Sequence, residues 1–452
     1  MSILHTCQRT NALCSLTVGL ALLAAFGDVA SVRAQEALPV EAYGSRVPRA
    51  WFELSNELTR TSRGFSPPVA ARAYGYMGVA LYETLVAGMP SYRSLVGQLE
   101  GLQSLPVPGG EVFDWNAAAN AVLARMAMRM YAASDEHASA NQDAIDALEA
   151  QLAATLTATN QVTAQSAAYG RAVANAIFRW SLADGASAGF ENNFPPDYSG
   201  PTGPGAWVPT PPAFSTALQP SWGNTRRFMA NSAAVCDPPP PPAYSTDPLS
   251  IAYQEALEVY SIVKVADPES VAIANFWSDD PGRTATPPGH AISIATQVLA
   301  QQGSSLAVAA ETYARLGIAL ADAFIACWRV KYLYNYLRPV SYVHDQIDVD
   351  WTIPLVTPPF PEYPSGHSVM SGAAAEVLSG IFGTVAFTDN THGRLGLPAR
   401  SFGSFYEASQ EAALSRLYGG IHYRSAVEQG LVQGFCIGEL ASSLEMQTSS
   451  KP

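Results

Sequence analysis

The segment Val69 to Val86, VAARAYGYMGVALYETLV, is rich in alanine and places its apolar residues at helical spacing. The same pattern recurs at Ala117–Ala132, Ala144–Ala158 and Gln165–Leu182, and no strand-like alternation of comparable length accompanies it. A helix buries its apolar stripe against neighbouring elements, so a chain dominated by such segments is expected to be all-α, built of helical bundles.

Between Asp184 and Asp247 the composition shifts to Pro, Gly, Asn and Ser, with FPPDYSGPTGPG and five prolines at Pro238–Pro242. Proline locks φ and lacks an amide proton, so this stretch is expected to be an ordered loop or linker. It would divide an N-terminal helical half, residues 35–247, from a C-terminal half, residues 248–452. Beyond it, Pro248–Val265, Glu269–Phe276, His290–Ala300 and Ser305–Leu337 are expected as helices, with Pro339 stopping the last. Val340–Pro364 should be mostly extended and Ser368–Ile381 helical. Ser404 and Glu407 have the form of a capping box that starts a helix running to about Leu417. Gly419 and Gly420 break it, and a final helix should run from about His422 to Leu444.

The 452 residues are 48% hydrophobic and only 14% charged, which argues against disorder. A net charge of -13, from 38 acidic against 25 basic residues, excludes a protein whose main business is coating nucleic acid or anionic lipid. Any anion site must be a local basic pocket. The first 34 residues, with Arg9, the apolar run Leu16–Phe26 and Val32-Arg33-Ala34, read as a signal peptide. The mature chain is therefore expected to be periplasmic or secreted and not inserted in a membrane; its oligomeric state is left open. Cys236, Cys327 and Cys436 would remain in it, enough for one disulfide without requiring one.

Three pieces of sequence carry chemistry. In KYLYNYLRP, Lys331 and Arg338 are seven residues apart, close to two helical turns, so both cations are expected on one face of one helix. Like charges repel there unless an anion lies between them. In the second piece, Pro364-Ser365-Gly366-His367 joins a proline-rich segment to a helix start. Unpaired backbone N–H groups, the Ser365 hydroxyl and the lack of a side chain at Gly366 would suit an anion, and His367 could move a proton. In SRLYGGIHYR, Arg416 and His422 would diverge on a continuous helix, but the Gly419-Gly420 break lets both face one pocket. Together these supply three cations, a helix N-terminus, a hydroxyl and two imidazoles, a set matched to a tetrahedral oxyanion with a covalent histidine ligand.

The order of lysine, six residues, Arg-Pro, then PSGH, then Ser-Arg, five residues and His resembles the superfamily of vanadium-dependent haloperoxidases and type 2 phosphatidic acid phosphatases (PAP2). The matching core runs from about Asp322 to Glu439. PPFPEYPSGH, ADAFIACWRVKYLYNYLRP and FWSDDPGRTATPP resemble the haloperoxidase branch more closely. That resemblance implies vanadate held by Lys331, Arg338, Ser365, Gly366 and Arg416, with His422 as metal ligand and His367 as acid-base group. It also implies Phe360 and Trp328 at a halide pocket, and Asp280, or with a one-residue gap Asp279, as acidic partner of Arg416. The implied reaction is halide oxidation by hydrogen peroxide, with Lys331 polarising the bound peroxide.

The same atoms would serve an acid phosphatase, with a phosphate ester as substrate, His422 as nucleophile and a phosphohistidine intermediate. A non-catalytic oxyanion-binding protein is the remaining alternative. One departure from the pattern bears on all three: the superfamily's Asp four residues after the second histidine is Ala426 here, and a backbone carbonyl is expected to orient His422 instead. His290 in PPGH reads as a helix-start residue. His137, His344 and His392 have no partners at useful spacing, and Asp345, Asp348 and Asp350 read as a polar loop.

Overall fold

The alanine-rich segments are helices in the computed structural model, which describes residues 38–109, 113–131, 138–230 and 232–448. The signal-peptide reading of residues 1–34, and His137, lie outside the described residues. The N-terminal half contributes α1 (Arg46–Thr61), α2 (Pro67–Leu85), α3 (Trp115–Tyr131), α4 (Ala138–Ala153) and α5 (Asn160–Ser181). After the short α6 (Ser232–Val235) come α7 (Ile251–Lys264), α8 (Pro268–Phe276), α9 (Thr286–Gln301) and α10 (Leu306–Tyr334). The chain then forms α11 (Pro339–Gln346), α12 (Gly366–Phe382), α13 (Phe405–Tyr418) and α14 (Arg424–Ser442). An antiparallel ribbon pairs β1 (Phe387–Asp389) with β2 (Arg400–Phe402), the one departure from helix among the described elements. None of the described helices is long and apolar enough to cross a membrane.

α10 is the axis of the molecule. Ser305 caps its start by accepting the Val308 N–H at 3.3 Å, and it is buried on nearly every face. It lies along α2, so the two halves share one core. Small residues permit that approach: a Cβ on Gly317 would stand 2.8 Å from the Tyr74 carbonyl oxygen of α2. A second close pair, α12 against α14, underlies the candidate site, where a Cβ on Gly430 would stand 2.9 Å from the Ser365 carbonyl oxygen.

Two expectations need correction. α10 ends at Tyr334 rather than Leu337, because Asn335 turns left-handed (φ 46°) and its N–H caps the Lys331 carbonyl at 2.8 Å. Pro339 does not stop that helix but opens the next one. At a first helical position its missing N–H costs no bond and its fixed φ is already helical, so residues 339–346 are α11 rather than extended chain. Lys331 and Arg338 therefore do not share a helix; Arg338 is the residue preceding α11.

The Pro/Gly-rich stretch is mostly loop, interrupted by a 3-10 turn at Trp222–Asn224 and by α6, and it packs against the C-terminal half. The Trp207 N–H donates to the Asn335 carbonyl at 2.8 Å and the Leu218 N–H to the Pro359 carbonyl at 2.8 Å. Near its end, Cys236 is disulfide-bonded to Cys436 of α14, while Cys327 is free and buried. At α13 the Ser404 hydroxyl accepts the Glu407 N–H at 3.1 Å, but the Glu407 carboxylate accepts the N–H of Gly403 at 2.6 Å, one residue before the reciprocal partner of a capping box.

Candidate active site

The helix ends just described bring the three sequence pieces together. Lys331 comes from the last turn of α10, Arg338 precedes α11, Ser365 caps α12, Arg416 ends α13, and His422 sits in the turn after the Gly419-Gly420 break. Gly420 makes that turn with φ 72°. Lys331, Arg338, Ser365, Arg416 and His422 are each at most 2% exposed. Gly366, His367, Arg416 and His422 line a cavity of about 240 Å³ whose walls are largely apolar, with Trp328, Phe360, Phe324, Leu218 and several prolines. The Trp328 and Phe360 rings lie 4.9 Å apart at its side.

The cations are fixed by backbone carbonyls. The Lys331 ammonium donates to Pro361 at 2.9 Å, Glu362 at 2.9 Å and Pro364 at 2.5 Å. Arg338 donates to Phe360 at 2.9 Å, to Ile421 at 2.7 Å and to Nε2 of His422 at 3.2 Å. Arg416 donates to the Trp277 carbonyl at 2.7 Å and to Nε2 of His367 at 3.3 Å. Asp279 and Asp280 both favour the charged form of Arg416 and both line the cavity.

The missing carboxylate has not been lost; it has moved. Glu362, from the proline-rich segment before α12, accepts the Nδ1–H of His422 at 2.8 Å and the Tyr423 N–H at 2.9 Å through the same Oε1. A carboxylate therefore replaces the expected backbone carbonyl. With the proton on Nδ1, the Nε2 lone pair accepts from Arg338 at 3.2 Å, and Nε2 is the atom through which a metal ligand or a nucleophile would act. Ala426 has a different task, since its carbonyl accepts the Ser365 N–H at 3.0 Å and anchors the start of α12. The sequence carried one signal for this: Glu362 is the lone acidic residue in the otherwise uncharged run Trp351–Gly366.

Burial works against every charge in the pocket. Burial pushes Lys331 down to about 7 and both Arg338 and Arg416 down to about 10. Burial, followed by the arginines and Lys331, holds His422 well below the ordinary imidazole value; burial and Arg416 do the same to His367. Lys331, Arg338 and Arg416 are thus three buried basic groups gathered in one place, with Asp279, Asp280 and Glu362, itself raised by burial to about 8, as the acids around them, and an oxyanion between the three would relieve their desolvation. Gly366 adds a steric argument. A Cβ there would meet nothing nearer than 3.7 Å, and its backbone is ordinary helix, so neither packing nor φ demands glycine. Gly366 lines the cavity, where its bare backbone leaves room for a ligand to approach, and the residues present fit vanadate.

Two histidines need correction. His290 is not merely a helix-start residue: its Nδ1 lies 2.9 Å from Asp279 and its Nε2 2.7 Å from Asp389. His392, expected to lack partners, places Nε2 3.2 Å from Asp279. Nothing in the local sequence joins residues so far apart.

A buried cationic cage, closed by two helix ends and a histidine whose Nε2 faces Arg338, fits a class of helical oxyanion-binding proteins, and comparison with known proteins narrows it. The family model of the VCPO second helical-bundle domain matches residues 311–450. The crystal structure of a bacterial vanadium-dependent iodoperoxidase superposes with a TM-score of 0.82 at 37% identity, covering 91% of this chain and 98% of that one. A bacterial vanadium-dependent chloroperoxidase in its apo form shares the fold, with a TM-score of 0.63, 14% identity and coverage of 86% and 97%. The vanadium chloroperoxidase of Curvularia inaequalis is 25% identical over 402 residues, 75% of this chain and 66% of that protein, so the match spans just under two thirds of its length. The chain belongs to the vanadium-dependent haloperoxidase superfamily.

Proposed function

We propose that the protein is a vanadium-dependent haloperoxidase that oxidises halide with hydrogen peroxide, iodide above all. The observation that carries this reading is the convergence of three buried basic groups, Lys331, Arg338 and Arg416, around the neutral ring of His422, at the foot of a mainly apolar cavity. His422 would ligate vanadate through Nε2, with Lys331, Arg338, Arg416, Ser365 and the N–H groups at Gly366 and His367 donating to its oxygens. Bound vanadate supplies a Lewis acid that activates peroxide without changing oxidation state.

The chain's own residues do the rest. Glu362 fixes the tautomer of His422, and His367, neutral in this field, takes or returns a proton at Nε2. Phe360 and Trp328 present an apolar wall through which a halide must shed water, which costs least for the large, weakly hydrated iodide. The 37% identity to an iodoperoxidase along nearly all of that chain supports the same preference. We also propose a periplasmic or secreted location, supported by the leader-like first 34 residues and by the Cys236–Cys436 disulfide, a bond that persists in oxidising compartments.

One observation favours a second reading. Glu362 restores a carboxylate to His422, which removes the main objection to a phosphatase with His422 as nucleophile. Both are tested by assaying peroxide-dependent iodide oxidation with and without orthovanadate, beside aryl phosphate hydrolysis, in one preparation. Vanadate-dependent iodide oxidation that vanishes in His422→Ala is the expected result. Phosphate hydrolysis without iodide oxidation would overturn it in favour of the phosphatase, and neither activity would favour a binding protein.

A further inference from the structure

Asp279 has a second neighbourhood, on the side away from Arg416, which the proposed reaction does not use. His290 of α9, Asp389 at the end of β1 and His392 just after it meet Asp279 there, and all four residues are at most 4% exposed. The Oδ1 of Asp279 and the Nε2 of His392 face each other 3.2 Å apart, but neither atom makes an aligned hydrogen bond. Buried polar atoms that meet only in a poorly aligned contact are placed to turn to a shared ligand instead.

We propose that Asp279, His290 and His392 form a binding site for one divalent transition-metal ion, zinc by its ligand chemistry. One donor atom from each lies within 4.8 Å of the others. Bonds of about 2.0–2.1 Å in tetrahedral array set neighbouring donors roughly 3.3 Å apart. The observed separations are 3.2 Å from Oδ1 of Asp279 to Nε2 of His392 and 2.9 Å from its Oδ2 to Nδ1 of His290, so the carboxylate meets both rings, one through each oxygen. Asp389 accepts the Nε2–H of His290 at 2.7 Å, which turns the Nδ1 lone pair toward the ion, as carboxylates do for metal-bound histidines.

Charge points the same way. A divalent ion with two neutral imidazoles neutralises both buried carboxylates, whereas a proton on His290 neutralises one. Three protein donors leave a fourth position free, and a separate cavity of about 130 Å³, lined by Glu53, Glu57, Ser293 and Thr391 among others, opens beside the cluster to admit ion and water. The site is independent of the vanadate reading and would tie together α9, β1 and the loop carrying Asp279.

The test is calorimetric titration of the chelator-treated full chain with zinc chloride, backed by elemental analysis after dialysis. One zinc per chain is expected, with affinity falling more than about 100-fold in His392→Ala and about 10- to 100-fold in Asp389→Asn, which loses only the orienting carboxylate. Cobalt(II) in its place should give the intense visible bands of a four-coordinate site, absent in His392→Ala. No stoichiometric uptake, or equal uptake by wild type and His392→Ala, overturns the proposal. Should His392→Ala fail to fold by circular dichroism, unchanged zinc affinity in Asp389→Asn overturns it equally.

Discussion

His422 and His290 are both almost wholly buried, and the protein treats them in opposite ways. Around His422, burial together with Arg338, Lys331 and Arg416 drives the imidazole well below its ordinary pKa, so it stays neutral and keeps a lone pair. Around His290, burial pulls the same way, but Asp279 and Asp389 outweigh it and lift the ring to about 10 in the ion-free protein. The first pocket gathers Lys331, Arg338 and Arg416 about a neutral ring and suits an anion; in the second, Asp279 and Asp389 flank one ring, and it suits a cation. Burial sets the size of each imbalance, and the sign of the surrounding charges decides what each pocket can hold.

The largest expected effect comes from removing a cation from the first pocket. Lys331→Ala should lower kcat for vanadate-dependent iodide oxidation by roughly 10²- to 10³-fold, the usual loss when one fixed donor to a reacting oxygen is deleted. Vanadate affinity, measured separately by titration, should also fall. Unaltered kcat would place Lys331 outside the reaction.

A smaller effect should follow from disturbing the one carboxylate that belongs with the cations. Glu362→Ala leaves His422 without the acceptor that fixes its tautomer, so vanadate should bind about 10- to 100-fold more weakly. Adding Ala426→Asp to that variant puts a carboxylate back at the superfamily's usual position, and it should recover a measurable part of the lost affinity. Weakening without any recovery would mean that position 426, whose carbonyl holds the Ser365 N–H, cannot carry the role in this backbone.

What the sequence made legible follows from the same physics. Alanine-rich helices such as α2 and α3 announce themselves because apolar spacing is local, and so do PSGH and the Gly419-Gly420 break. α1 went unread although Val47, Trp51, Phe52, Ser55 and Leu58 give it a buried stripe. α11 is hidden in the sequence because Pro339 reads equally as a helix stop and as a helix start, and only the left-handed turn at Asn335 decides between them. Glu362 was missed for a deeper reason. The orienting acid was sought one turn along from His422, while the fold delivers it from the far side of the pocket, sixty residues earlier in the chain. The cluster around Asp279 draws on three separate segments with no common spacing, so only the packing of α9 against the ribbon assembles it.

A third effect, on stability, calibrates the comparison, because it concerns a buried charge with no ionic partner in contact. Asp322, midway along α10, is fully buried and accepts the N–H groups of Phe228 and Met229 at 2.8 and 2.9 Å and the Ser232 hydroxyl at 2.9 Å. Burial outweighs these neutral donors and raises its pKa from 3.8 to about 6. A folded-state value above the unfolded one means that the fold prefers the protonated carboxyl. The associated stability is complete below about pH 4 and is lost as pH rises through about 6, on the order of 3 kcal/mol across that window. Asp322→Asn cannot titrate, so its stability relative to wild type, followed by denaturant unfolding from pH 4 to 7, should improve with rising pH on top of a constant offset for its altered bonds. A flat difference would mean that three neutral donors suffice to hold a buried carboxylate charged, and that the ionic neighbours of His422 and His290 matter less than the comparison between them requires.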